Sequence, residues 1–223
     1  QRRPPLQGMG GGLCLFVLAM GLMLFVAAPI QQRLGMLGLA ITELMLLALA
    51  VGFAAATRQP LKAVFPIVWP TGRQVLATVI LWVGYLGLAM SATMAVAYFF
   101  PEEIFGVSQD LGGLITSWPL PLALITSALL PAICEEGLCR GAIQHYFRRM
   151  NPWVSMALVA LLFGLMHFSP YRLLATAILG FALAYLRHRT GSLVPPMLLH
   201  FINNAFSTLS GYITTGDAAQ TGT

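Results

Sequence analysis

The polar side chains of this sequence that are suited to chemistry lie inside apolar runs. They occur in three segments, PAICEEGLCR, LLFGLMHF and MLLHFINNAF, and the residues are Glu135, Glu136, Arg140, His167, His200 and Asn204. A charged group at the centre of a bilayer costs at least about 2.5–3.5 kcal/mol, so each such group needs a partner or a function. These segments are therefore the candidate functional sites.

Helical spacing sorts these side chains into sets. Glu136 and Arg140 are four residues apart and share one helix face, which predicts a buried ion pair that stabilises helix packing. Glu135 points about 100° away from that face and is left without this partner. His200 and Asn204 are also four residues apart, so both can point at the same place.

A carboxylate, two histidines and an amide in an apolar cavity suit the hydrolysis of an amide bond. Burial raises the proton affinity of a carboxylate, which makes it a usable general base toward water, and a neighbouring histidine can share the proton. A second histidine and an amide can donate hydrogen bonds to the oxyanion that forms when water attacks a carbonyl carbon. The residue types thus predict a hydrolytic site.

Composition places these segments in a membrane protein. Of 223 residues, 58% are hydrophobic and only 9% are charged, against roughly 25% charged in a soluble domain. Because a span takes about 20 apolar residues, we expect one all-α domain (1–223), a bundle of about seven transmembrane helices around an intramembrane cavity. The predicted spans are 12–30, 34–56, 74–99, 119–147, 153–168, 171–187 and 192–212.

The segment between the third and fourth predicted spans, PEEIFGVSQDLGGLITSWP, is less apolar. We interpret it as an external loop, with an amphipathic interfacial segment that gates lateral access as the alternative.

The distribution of basic residues predicts an orientation. Lysine and arginine favour cytoplasmic loops, and an N-inside, C-outside arrangement puts only Arg33 and Arg172 outside. The cytoplasmic set is Arg2, Arg3, Arg58, Lys62, Arg73, Arg148, Arg149, Arg187 and Arg189. The basic residues form no run or aromatic-interleaved patch, so no nucleic-acid partner is expected. We expect a prokaryotic inner membrane protein whose oligomeric state the sequence leaves open.

Depth along the predicted spans supports convergence of the site. Glu135 and His167 both lie about 23 Å from the turn that joins spans four and five, at 1.5 Å per residue. His200 and Asn204 lie about 16 to 23 Å from the loop at Arg189 on the same side. All four groups can therefore occupy one layer of the bundle.

The same segments resemble the motifs of the CAAX-protease and bacteriocin-processing family of intramembrane glutamate proteases, also called the CPBP or Abi family. EEGLCR resembles Glu-Glu-x-x-x-Arg, FGLMH resembles Phe-x-x-x-His and HFINN resembles His-x-x-x-Asn, in the order of the family. The resemblance covers roughly residues 119–212, the motif-bearing part of the chain.

The resemblance implies an intramembrane endopeptidase that acts on a peptide or a membrane-anchored protein without a metal or other cofactor. It implies that Glu135 and His167 activate the water and that His200 and Asn204 stabilise the oxyanion. The residues implied to support the site are Glu136, Arg140 and Phe163. Prenylated C-terminal peptides, bacteriocin or signalling precursors and surface-protein anchors are the substrate classes it implies.

Other functions fit parts of the pattern. An intramembrane carboxylate also serves proton or ion handling in a transporter, and the family includes non-catalytic bacteriocin self-immunity proteins. Two histidines and a carboxylate form a common zinc set, but the zinc-protease pattern His-Glu-x-x-His is absent. Glu43, in the second predicted span, belongs to no motif. We interpret it as a buried hydrogen-bonding or neutral carboxyl group, or part of the cavity wall.

Overall fold

A computed structural model describes residues 8–221, and within that range the chain consists of helices and connecting turns without a β-strand. Arg2 and Arg3, which enter the predicted orientation, lie outside the described residues. The helices are α1 (Met9–Leu22), α2 (Ala28–Ala56), α3 (Leu61–Val64), α4 (Gly72–Phe99), α5 (Pro101–Thr116), α6 (Leu120–Tyr146), α7 (Pro152–Leu165), α8 (Pro170–Thr190) and α9 (Val194–Thr221). The predicted all-α class is confirmed.

Three helical segments are long and apolar enough to cross a membrane, namely Met9–Ala56, α4 and α6. Helix α7 is apolar but shorter, and α8 and α9 do not reach this criterion within the described residues. Both α8 and α9 carry several polar side chains along their length, which lowers their apolar content. The chain is an integral membrane protein with three candidate spans, and the count of seven stays a prediction.

The segment Met9–Ala56 doubles back at Gly35. Gly35 adopts φ 55° and ψ −127°, a conformation that glycine reaches at little steric cost. The side-chain amide of Gln31 donates a hydrogen bond to the Thr42 hydroxyl at 2.7 Å, although a straight helix would separate these positions by about 16 Å. The predicted spans 12–30 and 34–56 are therefore two limbs of one hairpin.

The segment interpreted as an external loop, with an amphipathic interfacial segment as the alternative, is largely helical rather than irregular, and its position relative to the membrane stays a prediction. Helix α5 begins with Pro101, and its first turn contains Glu102 and Glu103. Proline suits the first helical position, and acidic groups near a helix N-terminus interact favourably with the helix dipole. The hydroxyl of Tyr212 on α9 donates to the backbone carbonyl of Trp118 just after α5, which ties this region to the bundle.

The buried core surrounds α6 and the α7–α8 hairpin. Phe163 and Leu183 are fully buried there, as are Leu138 and Leu199. Glycines permit close backbone approach between these helices: a Cβ atom added at Gly180 would lie 2.9 Å from the Ala160 Cα atom. Small residues at such contacts are typical of helix packing in membranes.

Helix α6 contains two π-helical segments, Ile125–Leu129 and Gly137–Ile143. Such segments are rare in proteins, and those that do occur are often found at functional sites. The second begins one residue after Glu136, and the first faces α9. Both lie beside the predicted site residues.

Candidate active site

A cavity of about 630 Å³ lies between α2, α4, α5, α6, α8 and α9. Its wall includes all four predicted catalytic side chains, which are Glu135, His167, His200 and Asn204. They come from α6, from the end of α7 and from α9, so the structure brings together groups that are distant in sequence. The predicted supporting residues Glu136, Arg140 and Phe163 lie behind this wall.

Glu136 and Arg140 form the ion pair that their spacing predicts. Arg140 Nη1 donates to Glu136 Oε1 at 2.7 Å, and both side chains are fully buried. Arg140 Nη2 donates to the Gly180 carbonyl on α8 at 3.0 Å, and the guanidinium stacks over the Phe163 ring with its Cζ atom 4.3 Å from the ring centroid. This network links α6, α7 and α8 behind the cavity.

His200 is held between the two glutamates. Its Nδ1 atom lies 2.9 Å from Glu136 Oε1, and its Nε2 atom lies 3.9 Å from Glu135 Oε2. A carboxylate can only accept hydrogen bonds, so the Nδ1 atom of His200 donates to Glu136. This contact turns the opposite ring edge toward Glu135 and the cavity.

Glu135 is less enclosed than its neighbour, although both carboxyl groups face His200. Its side chain is 17% exposed, whereas that of Glu136 is 0% exposed. The Oε2 atom of Glu135 has no hydrogen-bond partner among the described residues. Because consecutive helical residues point in different directions, Glu136 lies in the buried network, and Glu135 can accept a hydrogen bond inside the cavity.

His167 is oriented by the helix that precedes it. Its Nδ1 atom lies 2.9 Å from the Phe163 carbonyl, and since a carbonyl oxygen only accepts, Nδ1 carries the hydrogen. In the neutral ring, Nε2 is then the acceptor. The Phe163 ring packs edge-on against His167 with centroids 4.9 Å apart, and the next residue, Phe168, adopts φ 49° where the chain leaves α7.

Asn204 is positioned by the first π-helical segment of α6. Its Nδ2 atom donates to the Ser127 carbonyl at 3.2 Å, and its Oδ1 atom accepts from Asn203 Nδ2 at 3.3 Å. A side-chain amide carries two N–H donors, and Ser127 engages one of them. The second remains for a group in the cavity.

These motif positions lie in a segment with a recognisable family signature. Residues 116–206 match the family of Rce1-like type II CAAX prenyl endopeptidases. The resemblance seen in the three motifs is confirmed for this segment, and it supports a peptidase activity within the membrane. Comparison with curated proteins and with solved structures finds no match.

The cavity is also lined by polar side chains that were not predicted as catalytic or supporting residues. They include Glu43, Tyr85, Arg172 and Asn203. The sequence put Arg172 on an outer loop, but its side chain lies on the cavity wall and interacts electrostatically with Glu135. Its position only five residues after His167 is the signal that could have indicated this location.

Proposed function

We propose that the protein is an intramembrane endopeptidase in which Glu135 and His167 activate a water molecule and His200 and Asn204 bind the oxyanion. The observation that carries the proposal is the meeting of these four side chains in one cavity, with the Oε2 atom of Glu135 free of a hydrogen-bond partner among the described residues. The Rce1-like match of residues 116–206 supports the same activity.

The proposed reaction is a general-base hydrolysis. Glu135, assisted by the Nε2 atom of His167, removes a proton from water, and the resulting hydroxide forms a bond to the carbonyl carbon of the substrate. The carbonyl oxygen becomes an oxyanion that accepts hydrogen bonds from His200 and Asn204. When the C–N bond breaks, Glu135 returns the proton to the leaving amine.

The contacts behind the cavity suit these roles. In a protonated imidazole both nitrogens donate. In that form His200 donates one hydrogen bond from Nδ1 to Glu136 and another from Nε2 to the oxyanion. Arg140 compensates the charge of Glu136, and Phe163 orients His167 through both its carbonyl and its ring. Glu136, Arg140 and Phe163 thus support catalytic residues without touching the substrate.

We further propose that the substrate is a peptide or membrane-anchored protein that enters from the bilayer. Seven crossings would result from the two limbs of Met9–Ala56 together with α4, α6, α7, α8 and α9, with the N-terminus in the cytoplasm of a prokaryotic cell. Prenylated C-terminal peptides, bacteriocin precursors and surface anchors are the substrate classes to test.

The test is cleavage of a quenched fluorescent peptide library, including prenylated and leader peptides, by the protein in liposomes. Glu135→Gln removes the base with little change in shape, so we expect kcat to fall by roughly 10²–10⁴-fold. His167→Ala and His200→Ala should cause losses of similar size. Glu102→Gln, the same change on exposed α5, is the matched control and should leave cleavage unchanged.

Folding of each variant is checked by size-exclusion chromatography and circular dichroism. Activity that survives Glu135→Gln in a folded variant would exclude Glu135 as the base. Activity that is abolished by chelators and restored by zinc would favour a metalloprotease. A folded wild type that cleaves no member of the library would favour the transporter or the self-immunity protein.

A further inference from the structure

A third carboxyl group, outside the motifs, lies in the same cavity. Glu43 of α2 is only 5% exposed, and it lines the cavity together with Glu135. Its Oε2 atom is buried without a hydrogen-bond partner among residues 8–221. A buried carboxyl group of this kind is costly in a membrane protein unless it has a function.

Close packing of α2 against α6 brings Glu43 to the site. A Cβ atom added at Gly137 would lie 2.7 Å from Leu47 Cδ1, so glycine permits an approach that a larger residue would prevent. Glu43 lies one turn before Leu47 on α2, and Glu135 lies two residues before Gly137 on α6. The carboxyl groups of Glu43 and Glu135 therefore line the same cavity and interact electrostatically.

The groups around this pair do not neutralise two negative charges. The titratable and charged side chains that face it across the cavity or from α6 are Tyr85, Cys134, His167, Arg172 and His200. Within the described part of the chain, no lysine or arginine lies within ion-pairing distance of either carboxyl group, and Arg140 is already paired with Glu136. Two adjacent carboxylates in such surroundings do not both ionise.

We propose that Glu43 is a positioning residue that shares one proton with Glu135. Its carboxyl group donates a hydrogen bond to one oxygen of Glu135, which leaves the other oxygen to face the attacking water. During turnover the pair gains a second proton from water and returns it to the leaving amine, so it ends with one proton again. This proposal rests on the proposed endopeptidase function.

The catalytic test compares two variants of similar size. Glu43→Gln keeps an N–H donor for Glu135, whereas Glu43→Leu has none. We expect Glu43→Leu to lower kcat at least tenfold with KM nearly unchanged and to shift the acidic limb of the pH profile of kcat/KM, while Glu43→Gln retains most of the activity. Glu102→Leu on exposed α5 is the matched control. Equal losses in both Glu43 variants, or none, would overturn the positioning role.

A second measurement does not depend on turnover. Infrared spectroscopy in heavy water detects the C=O stretch of a protonated carboxyl group. At neutral pH we expect a band in the wild type that disappears in both Glu43→Gln and Glu135→Gln but persists in Glu102→Gln. The absence of such a band in the wild type would overturn the proposal that Glu43 and Glu135 share a proton. If the wild type shows the band but cleaves no peptide, the shared proton stands. In that case both the positioning role of Glu43 in catalysis and the endopeptidase proposal fail.

Discussion

At the scale of single residues, two neighbouring glutamates have opposite surroundings. Glu136 Oε1 accepts from Arg140 and His200 at 2.7 Å and 2.9 Å, whereas Glu135 Oε2 lies 3.9 Å from His200 Nε2, beyond hydrogen-bond distance. The difference follows from the rotation of about 100° between consecutive helical residues. A buried and paired carboxylate stabilises the bundle, and its neighbour is available to substrate.

This contrast predicts that Arg140 contributes mainly to stability. Arg140→Leu would remove the arginine partner of a buried carboxylate and leave Glu136 only the hydrogen bond from His200. Breaking a buried ion pair in this way costs roughly 3–5 kcal/mol. We expect a large drop in the thermal unfolding midpoint in detergent, and a smaller drop for Arg140→Lys, which keeps the charge but loses the planar fork of donors. Arg149→Leu, at an exposed arginine, serves as the control. A wild-type midpoint for folded Arg140→Leu would contradict the proposed role of the network.

At the scale of the elements, glycines and π-helical segments determine where the helices meet. Gly180 brings the α8 backbone against Ala160 of α7, and its own carbonyl accepts from Arg140. The first π-helical segment of α6 presents the Ser127 carbonyl to Asn204. Helix packing and the orientation of the site residues therefore depend on the same backbone positions.

We expect Gly180→Ala to be destabilising. The new methyl group would lie 2.9 Å and 3.0 Å from the Cα and carbonyl oxygen of Ala160, and backbone atoms cannot move aside as a side chain does. Overpacking of this kind costs about 1–3 kcal/mol, so the unfolding midpoint and the catalytic rate should both fall. At Gly84 of α4 an added Cβ meets nothing within 4 Å, so Gly84→Ala should be neutral or slightly stabilising. Equal midpoints for the two variants would count against the packing argument.

At the scale of the whole molecule, the bundle surrounds a cavity whose wall is built from six helices and from His167 just after α7. Many apolar side chains on its outer surface are exposed, among them Phe25, Ile80 and Val83, as expected where lipid replaces water as the solvent. Polar groups are concentrated in the cavity and behind it. This distribution is suited to a reaction that takes place within the bilayer.

The proposed orientation predicts that Glu102 in α5 and Arg149 in the turn before α7 are accessible from opposite sides of the membrane. In a variant whose native Cys14, Cys134 and Cys139 are replaced by alanine, Glu102→Cys should react with a membrane-impermeant maleimide in intact spheroplasts. Arg149→Cys should react only after the membrane is permeabilised. Labelling of both positions from the same side would contradict the seven-crossing arrangement.

The sequence by itself determined the helical class, most helix positions and the identity of the motif residues. Predicted spans such as 74–99 and 119–147 agree with α4 and α6 because apolar length and proline or threonine at helix starts are local signals. The pairing of Glu136 with Arg140 was equally local, since the spacing of four residues decides it.

Only the tertiary structure decided which distant side chains share the cavity. The position of the reversal at Gly35, the helical state of α5 and the cavity position of Arg172 were not predicted, and the cavity wall was only one of the interpretations of Glu43. Periodicity tells which face of a helix is apolar, but not which other helix packs against that face. Glu43 and Glu135 line the same cavity because α2 packs closely against α6 where Leu47 meets Gly137. No local pattern in either helix specifies this contact between them.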